Sequence, residues 1–237
     1  MVSRLMLKNT TLKIVFLLGF LIIGLTSNGQ ELRNRFGDVY YSPNLYQTKY
    51  NSLEGTPYLN ETFTPAKIND ISETMLVRFD AFEDRVEIMV TKNQVVILEG
   101  SQPYTIELLD GSDKRYETKK YLDEKGNLKT SFFEVIAQKE TYTIYLKEKM
   151  KFLKAEKAQG YEASKPAMFK KQKAAYYITD FKGQSDHLIK LPYKVKNFVA
   201  FFPDSPKSVR KFIKENKLKI DNADDLAQIF DFYFDSN

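Results

Sequence analysis

The sequence predicts a mainly β fold: an antiparallel sheet, a sandwich or a partly open barrel of about ten strands, followed by two C-terminal α-helices. Two observations support this fold class. Between residues 57 and 203, apolar and polar residues alternate in short segments that are separated by turn residues. After residue 204 the apolar residues recur at helical spacing. The chain has no cysteine, so a packed core must stabilise the fold without disulfides.

The first element is an apolar segment behind a basic start. The apolar run from Ile14 to Leu25 is about twelve residues long, whereas a helix that crosses a bilayer needs roughly 20. Such a run is typical of a secretory signal peptide. We therefore predict a signal peptide at 1–29, cleaved between Gly29 and Gln30, a periplasmic or secreted protein, and no transmembrane span after cleavage. The alternative is an uncleaved N-terminal anchor.

Cleavage changes the charge of the chain. The full chain carries +5, and the predicted signal peptide accounts for three of these charges and no acid, which leaves +2. A nucleic-acid partner then has little compositional support, and we predict none. The remaining 208 residues are enough to bury roughly 70% of the unfolded surface.

Residues 30–56 follow as a segment with few aliphatic residues, several tyrosines and no helical or strand period. We predict an extended arm or linker here. Tyr40, Tyr41 and Tyr46 are candidate contact residues. Their rings either lie along the domain surface or stack on a glycan.

The predicted β domain covers residues 57–203. In "MLVRFDAF", Met75, Val77 and Phe79 share one face, and "RVEIMVT" repeats the alternation after a short polar gap, so the two segments predict a hairpin. The further predicted strands lie in "NQVVILEG", "YTIELLDG", "KRYETKKYL", "TSFFEVIA", "TYTIYLKE", "AAYYITDF", "DHLIKLPYK" and "KNFVAFF".

Residues 204–237 predict a helical pair packed on the β domain. Ser205 can cap the first helix, with Pro206 at its first position, and Asn222 can cap the second. The first helix and its exit are strongly basic, and the second is acidic. These opposite charges favour the packing of the two helices as a pair on the sheet, although exposed ion pairs contribute little.

No motif for catalysis, cofactor binding or metal binding is found. His187 is the only histidine, and in "SDH" (185–187) three consecutive strand residues alternate between faces, so they cannot form a triad. One histidine without cysteine cannot build a zinc site. The glycine-rich phosphate-binding motifs are absent. We predict a protein that is not an enzyme and that has no cofactor.

Four acidic residues surround the first hairpin: Asp80, Glu83, Asp84 and Glu87. A glycosidase needs only two carboxyl groups at a suitable separation, so this cluster has a catalytic interpretation. Acidic residues are also common at solvated turns. We favour the solvated turn.

The strongest charge imbalance lies between Lys147 and Lys173, where nine lysines and three acids give a local charge of +6. One interpretation is a contact for anionic lipid headgroups or an acidic protein surface. The other is a solvated connection with lysine-protected edge strands. The candidate contact residues in this segment are Lys149, Lys151, Lys154, Lys157, Lys170, Lys171 and Lys173.

Four segments carry a resemblance to known proteins. They are "GTPYLNETFTPAKI" (55–68), "VRFDAFEDRVEI" (77–88), "FFEVIAQKETYTIYLKE" (132–148) and "VRKFIKENKLKIDNADDLAQIFDFY" (209–233). In this order they resemble an uncharacterised family of exported β-rich proteins common in Bacteroidetes. The resemblance implies an envelope or secreted setting in a diderm bacterium. It implies no activity and no site residues.

These observations leave hypotheses from different classes. The leading hypothesis is an exported, non-enzymatic envelope or periplasmic protein that binds another envelope macromolecule, such as an envelope protein or an anionic lipid or glycan surface. The alternative is a periplasmic carrier that holds an apolar, lipid-like ligand in a curved sheet. A third hypothesis is a hydrolase whose carboxyl groups converge from separate strands.

Overall fold

The computed structural model describes residues 40–41, 53–91, 94–157, 163–181 and 183–235. The predicted signal peptide and Tyr46 lie outside the described residues. Within them the chain forms thirteen strands. They are β1 (Tyr40–Tyr41), β2 (Thr64–Ile68), β3 (Met75–Asp80), β4 (Arg85–Thr91), β5 (Gln94–Glu99), β6 (Thr105–Leu108), β7 (Arg115–Leu122), β8 (Leu128–Gln138), β9 (Thr143–Lys147), β10 (Met150–Leu153), β11 (Met168–Lys171), β12 (Ala175–Ile178) and β13 (Ile189–Lys190).

Eleven of these strands form one antiparallel sheet in the order β1-β5-β4-β3-β2-β6-β7-β8-β9-β12-β13. The sheet curls into a half-barrel, so the predicted mainly β fold is confirmed in its partly open form. Strands β10 and β11 pair with each other as a separate hairpin. This hairpin interrupts the connection between β9 and β12, and it carries most of the lysine-rich segment.

The alternation of apolar residues produces the core of the first half of the sheet. In the β3–β4 hairpin, Val77 pairs with Ile88, and both are buried. Leu98 on β5 and Ile106 on β6 belong to the same apolar cluster. The predicted hairpin is therefore confirmed, with its apolar face toward this cluster.

Three helices follow the last strand in the described part of the chain: α1 (Val195–Val199), α2 (Pro206–Glu215) and α3 (Ala223–Asp235). None of these helices has the length and apolarity needed to cross a membrane. The prediction of a strand in "KNFVAFF" is wrong, because α1 occupies this segment. Phe198, Val199 and Phe202 are all buried, which is a helical spacing and not a strand alternation.

The helices pack on the sheet through apolar side chains. Val209 and Ile213 of α2 and Phe230 of α3 join one cluster with Ile144 of β9 and Ile178 of β12. This cluster covers one face of β9 and β12. Their opposite face remains available for a second cluster, which contains aromatic residues.

The two C-terminal helices are held together by apolar contact. The rings of Phe212 and Phe232 are stacked with centroids 4.1 Å apart. As predicted, Asn222 caps α3, since its side-chain oxygen accepts from the Asp225 N–H at 3.0 Å. The two helices therefore pack as the predicted pair, although no ion pair joins α2 to α3 in the described chain.

The solvated-turn interpretation of the acidic residues of the first hairpin holds only in part: Glu83 is exposed in the turn, but two of the four acids are not solvated. Asp80 and Glu87 are buried. The Arg78 guanidinium contacts the Glu87 carboxylate at 2.6 Å and lies 3.7 Å from the centre of the Tyr58 ring. Burial raises the pKa of Glu87, whereas the adjacent Arg78 favours its charged form. Tyr58 belongs to the segment before β2. These contacts hold that segment against the face of β3 and β4 that lies opposite the apolar cluster.

Candidate functional site

A buried polar contact joins two distant parts of the sheet. Asp84, in the β3–β4 turn, meets Ser131 of β8 and Lys147 of β9. The Lys147 Nζ lies 2.8 Å from one Asp84 carboxylate oxygen, and the Ser131 hydroxyl donates to the carboxylate at 2.6 Å. Lys147 also donates to the Ser131 hydroxyl oxygen. We call these three residues the Asp84 latch.

The Asp84 latch is possible only because the sheet curls. Strands β2, β6 and β7 lie between β3 and β8 in the sheet, yet the β3–β4 turn reaches β8 and β9. Gly100, just after β5, also lies close to β8, because a Cβ atom there would be 3.1 Å from the Ser131 Cα. A side chain at position 100 would therefore require the Ser131 backbone to shift by a few tenths of an ångström.

Lys147 and Ser131 form a pair that some hydrolases use as base and nucleophile. Burial lowers the pKa of Lys147 to about 8, and the Asp84 carboxylate opposes this shift. Ser131 is 0% exposed, however, and its hydroxyl is held by the Asp84 carboxylate. A substrate carbonyl cannot reach this oxygen in the structure. The geometry therefore favours a structural role for the pair.

Next to the Asp84 latch lies a pocket of about 260 Å³. Tyr121 of β7, Tyr177 of β12 and the Lys147 side chain line it, and all three are buried. Its other walls come from the β7–β8 turn, the ends of the β10–β11 hairpin and the chain after β13. The pocket therefore collects side chains from segments that are far apart in sequence.

Four lysines surround two tyrosine rings in this pocket. The Nζ atoms of Lys147 and Lys149 lie 5.3 and 5.8 Å from the centre of the Tyr121 ring. Those of Lys173 and Lys190 lie 5.2 and 5.4 Å from the centre of the Tyr193 ring. Cation–π attraction holds each ammonium group near a ring face. We call this arrangement the lysine pocket.

Only part of this positive charge is compensated. Lys147 pairs with Asp84, and Lys173 pairs with Asp221 at 3.4 Å. In the described part of the chain, Lys149 and Lys190 have no carboxylate within 4.0 Å. The pocket wall also contains two acids from the β7–β8 turn, Asp123 and Glu124, of which Asp123 is already paired with Lys129 at 3.2 Å.

Of the candidate contact residues, the structure brings Lys149 and Lys173 into the pocket. The others on the hairpin and beyond it are exposed and spread over a wider surface, and they are Lys151, Lys154, Lys157, Lys170 and Lys171. Lys171 pairs with Glu148. Tyr40 and Tyr41 form β1 at the edge of the sheet, where their backbone pairs with β5.

Sequence reasoning missed several residues of the site. Lys190 and Tyr193 lie outside the lysine-rich segment, and Tyr121 reads as an ordinary strand residue. In the sequence, Lys147 stands out only as the first lysine of the lysine-rich segment. Its strand alternation with Tyr145 was the one available signal, because it places the lysine on a face that is otherwise aromatic.

The "SDH" segment makes local contacts. The Ser185 hydroxyl lies 3.0 Å from an Asp180 carboxylate oxygen, and it also contacts the His187 carbonyl oxygen. The His187 imidazole lies 3.8 Å from Asp186. Ser185 is thus directed to Asp180 and to the backbone, away from the imidazole.

Comparison with known proteins gives no relative: no protein-family model, curated protein or solved structure matches this chain. The resemblance noted in the sequence therefore stays a prediction.

Asp84→Asn should destabilise the protein, because it leaves the Lys147 ammonium buried without a carboxylate. We expect the free energy of unfolding to fall by about 2 kcal/mol, less than for a fully buried pair because the Asp84 side chain is 39% exposed. Urea titration measures this loss. The double variant Asp84→Asn/Lys147→Met should recover part of it, since it removes the buried charge as well. Equal losses in the single and double variants would contradict the latch.

The lowered pKa of Lys147 predicts a pH dependence. Its pKa falls from the ordinary 10.5 to about 8 on folding, so between these values the unfolded chain binds more protons than the folded protein. The contribution of Lys147 to the free energy of unfolding should therefore rise as the pH increases through this window. Urea titrations at several pH values, compared with Lys147→Met, should show this rise only in the unmodified protein. The same slope in both proteins would be the contrary result.

Proposed function

We propose that this chain is an exported, non-enzymatic binding protein whose lysine pocket holds an acidic group of another envelope macromolecule. The observation that supports this proposal is the convergence of Lys147, Lys149, Lys173 and Lys190 on one pocket, two of them without a carboxylate partner. Lysines brought together at such a site attract an anion more strongly than the same lysines spread over a surface.

The chemistry of the pocket favours an acidic sugar, such as a uronate or a sugar phosphate. The ammonium groups suit its carboxylate or phosphate. The exposed ring of Tyr193 and the Gln172 and Glu124 side chains at the pocket wall suit its ring carbons and hydroxyl groups. A volume of about 260 Å³ is just below the usual range of ligand pockets, which agrees with one terminal group of a larger molecule.

The alternative function, carriage of an apolar ligand, receives less support. Besides the lysine pocket, the described residues form a cleft of about 700 Å³ along β2, β6 and β7. It is also lined by charged residues, including Lys67, Glu107 and Glu117. Charged walls disfavour a hydrocarbon chain, which cannot compensate their desolvation.

Export is part of the proposal and rests on residues 1–29. If the signal peptide is cleaved as predicted, the protein recovered from the periplasm of its own host should begin at Gln30. Intact-mass measurement tests this directly. A mass that includes residues 1–29 would contradict cleavage and would favour the uncleaved anchor.

Removing the two uncompensated ammonium groups should weaken binding. We expect Lys149→Gln/Lys190→Gln to bind galacturonate and glucose 1-phosphate about tenfold more weakly than the unmodified protein, because each lysine contributes on the order of 0.7 kcal/mol. Isothermal titration calorimetry at low ionic strength measures the difference, with neutral glucose as the reference ligand.

The matched control is Lys151→Gln/Lys154→Gln, which removes the same charge from the exposed hairpin. It should leave the binding of both anions within about twofold. Equal weakening by the two double variants would contradict the pocket and would attribute binding to net charge. The lack of binding to either acidic sugar by the unmodified protein would contradict the proposal itself.

A further inference from the structure

Helix α2 carries a stripe of basic residues that does not contribute to the packing of the described fold. Its four basic residues, Lys207, Arg210, Lys211 and Lys214, are separated by three, one and three positions, so they share one face of the helix. All four are exposed, and the opposite face buries Val209. Lys217 and Lys219 continue the positive charge beyond the end of the helix.

This stripe lacks compensating charge. Within the described residues, only Lys211 has a carboxylate partner, Glu215 in the same helix, at 3.8 Å. Among the acids of α3, Asp231 accepts from the Tyr142 hydroxyl at 2.6 Å, and Asp225 accepts from the backbone N–H of Lys219 at 2.8 Å. Like charges at three- and four-residue spacing destabilise a helix. The stripe is therefore not explained by the stability of α2.

The segments before and after the basic stripe both reach the lysine pocket. Tyr193 of the pocket directly precedes Lys194 and Lys196, two exposed lysines at the start of α1, which packs beside α2. On the other side, Lys173 of the pocket contacts Asp221, in the turn between α2 and α3. The chain that leaves α2 therefore returns to the pocket wall.

We infer that the pocket and the α2 stripe form one binding track for an acidic polysaccharide. One acidic sugar occupies the lysine pocket, and further acidic units of the same chain lie along α1 and α2. Helix α2 alone is about 15 Å long, which exceeds one sugar ring and requires a chain of several units. This inference rests on the proposed function and adds that the partner is a polymer.

The composition of the stripe favours a polysaccharide over a protein or a membrane. Protein interfaces have aromatic and apolar residues at their centre and are depleted of lysine, whereas the exposed face of α2 presents lysine, arginine and serine. A helix that lies on a membrane inserts its apolar face into the lipid. In α2 this face is already buried against α3 and the sheet.

Chain length provides the test. Calorimetry at low salt would compare galacturonate with oligogalacturonate of about ten units, using the full mature chain. The oligomer should bind at least tenfold more tightly than the monomer per sugar unit, so that the gain exceeds the statistical effect of several units on one chain. The variant Lys207→Gln/Arg210→Gln/Lys214→Gln should remove most of this gain and leave monomer binding unchanged, because its substitutions lie outside the pocket. Lys151→Gln/Lys154→Gln/Lys170→Gln, on the hairpin, is the control of equal charge.

Each outcome separates the two proposals. If the monomer binds and the oligomer binds no more tightly, the track is overturned and the pocket stands. If both triple variants lose the same affinity, net charge and not the track controls binding, and the inference fails. If neither sugar binds, both proposals fail. Tighter binding to a glutamate decapeptide, to single-stranded DNA or to phosphatidylglycerol vesicles than to the oligomer would overturn the assignment to a polysaccharide.

Discussion

The contact of Asp84 with Lys147 and Ser131 holds together two parts of the sheet that only its curl brings within reach. It joins a turn of the first half of the sheet to strands β8 and β9, across three intervening strands. Burying an ammonium group is costly unless a carboxylate meets it. Once Lys147 is buried, only an arrangement that brings the Asp84 turn to it satisfies the charge. Gly100 favours this approach, because a side chain there would be in tight contact with the backbone of Ser131.

The lysine pocket is a consequence of this curl. With the Asp84 turn against β8 and β9, Lys147 lies at the end of an aromatic cluster, 4.9 Å from the centre of the Phe133 ring. The charge of Lys147 is paired with Asp84, so the lysines that remain for a ligand are those at the pocket edge, such as Lys149 and Lys190. The same pocket thus combines a rigid, buried wall with exposed cations. Rigid walls limit the entropy that a ligand loses on binding, and exposed cations can reach its charge.

Charged residues inside the fold and charged residues on α2 differ in how they are paired. Inside the fold, charges are paired, as in the contact of Arg78 with Glu87. On the outside of α2 only Lys211 has a carboxylate partner among the four basic residues, and the helices are joined by the stacked rings of Phe212 and Phe232. Apolar contact is enough to hold these helices, so the basic residues of α2 have no structural role in the described fold. This separation allows charge on α2 to be changed without loss of the core.

The sequence by itself determined the β class, the first hairpin and the two C-terminal helices, because these depend on local periodicity, as in the alternation around Val77. It failed where several apolar residues are adjacent: around Phe198 the segment could satisfy either period, and packing on the sheet selected a helix. Only the tertiary structure decided the site. The pairing of Asp84 with Lys147 and the approach of Lys190 to Lys149 join residues that are more than 40 positions apart. No local pattern encodes such pairs, since they arise from the curl of the whole sheet.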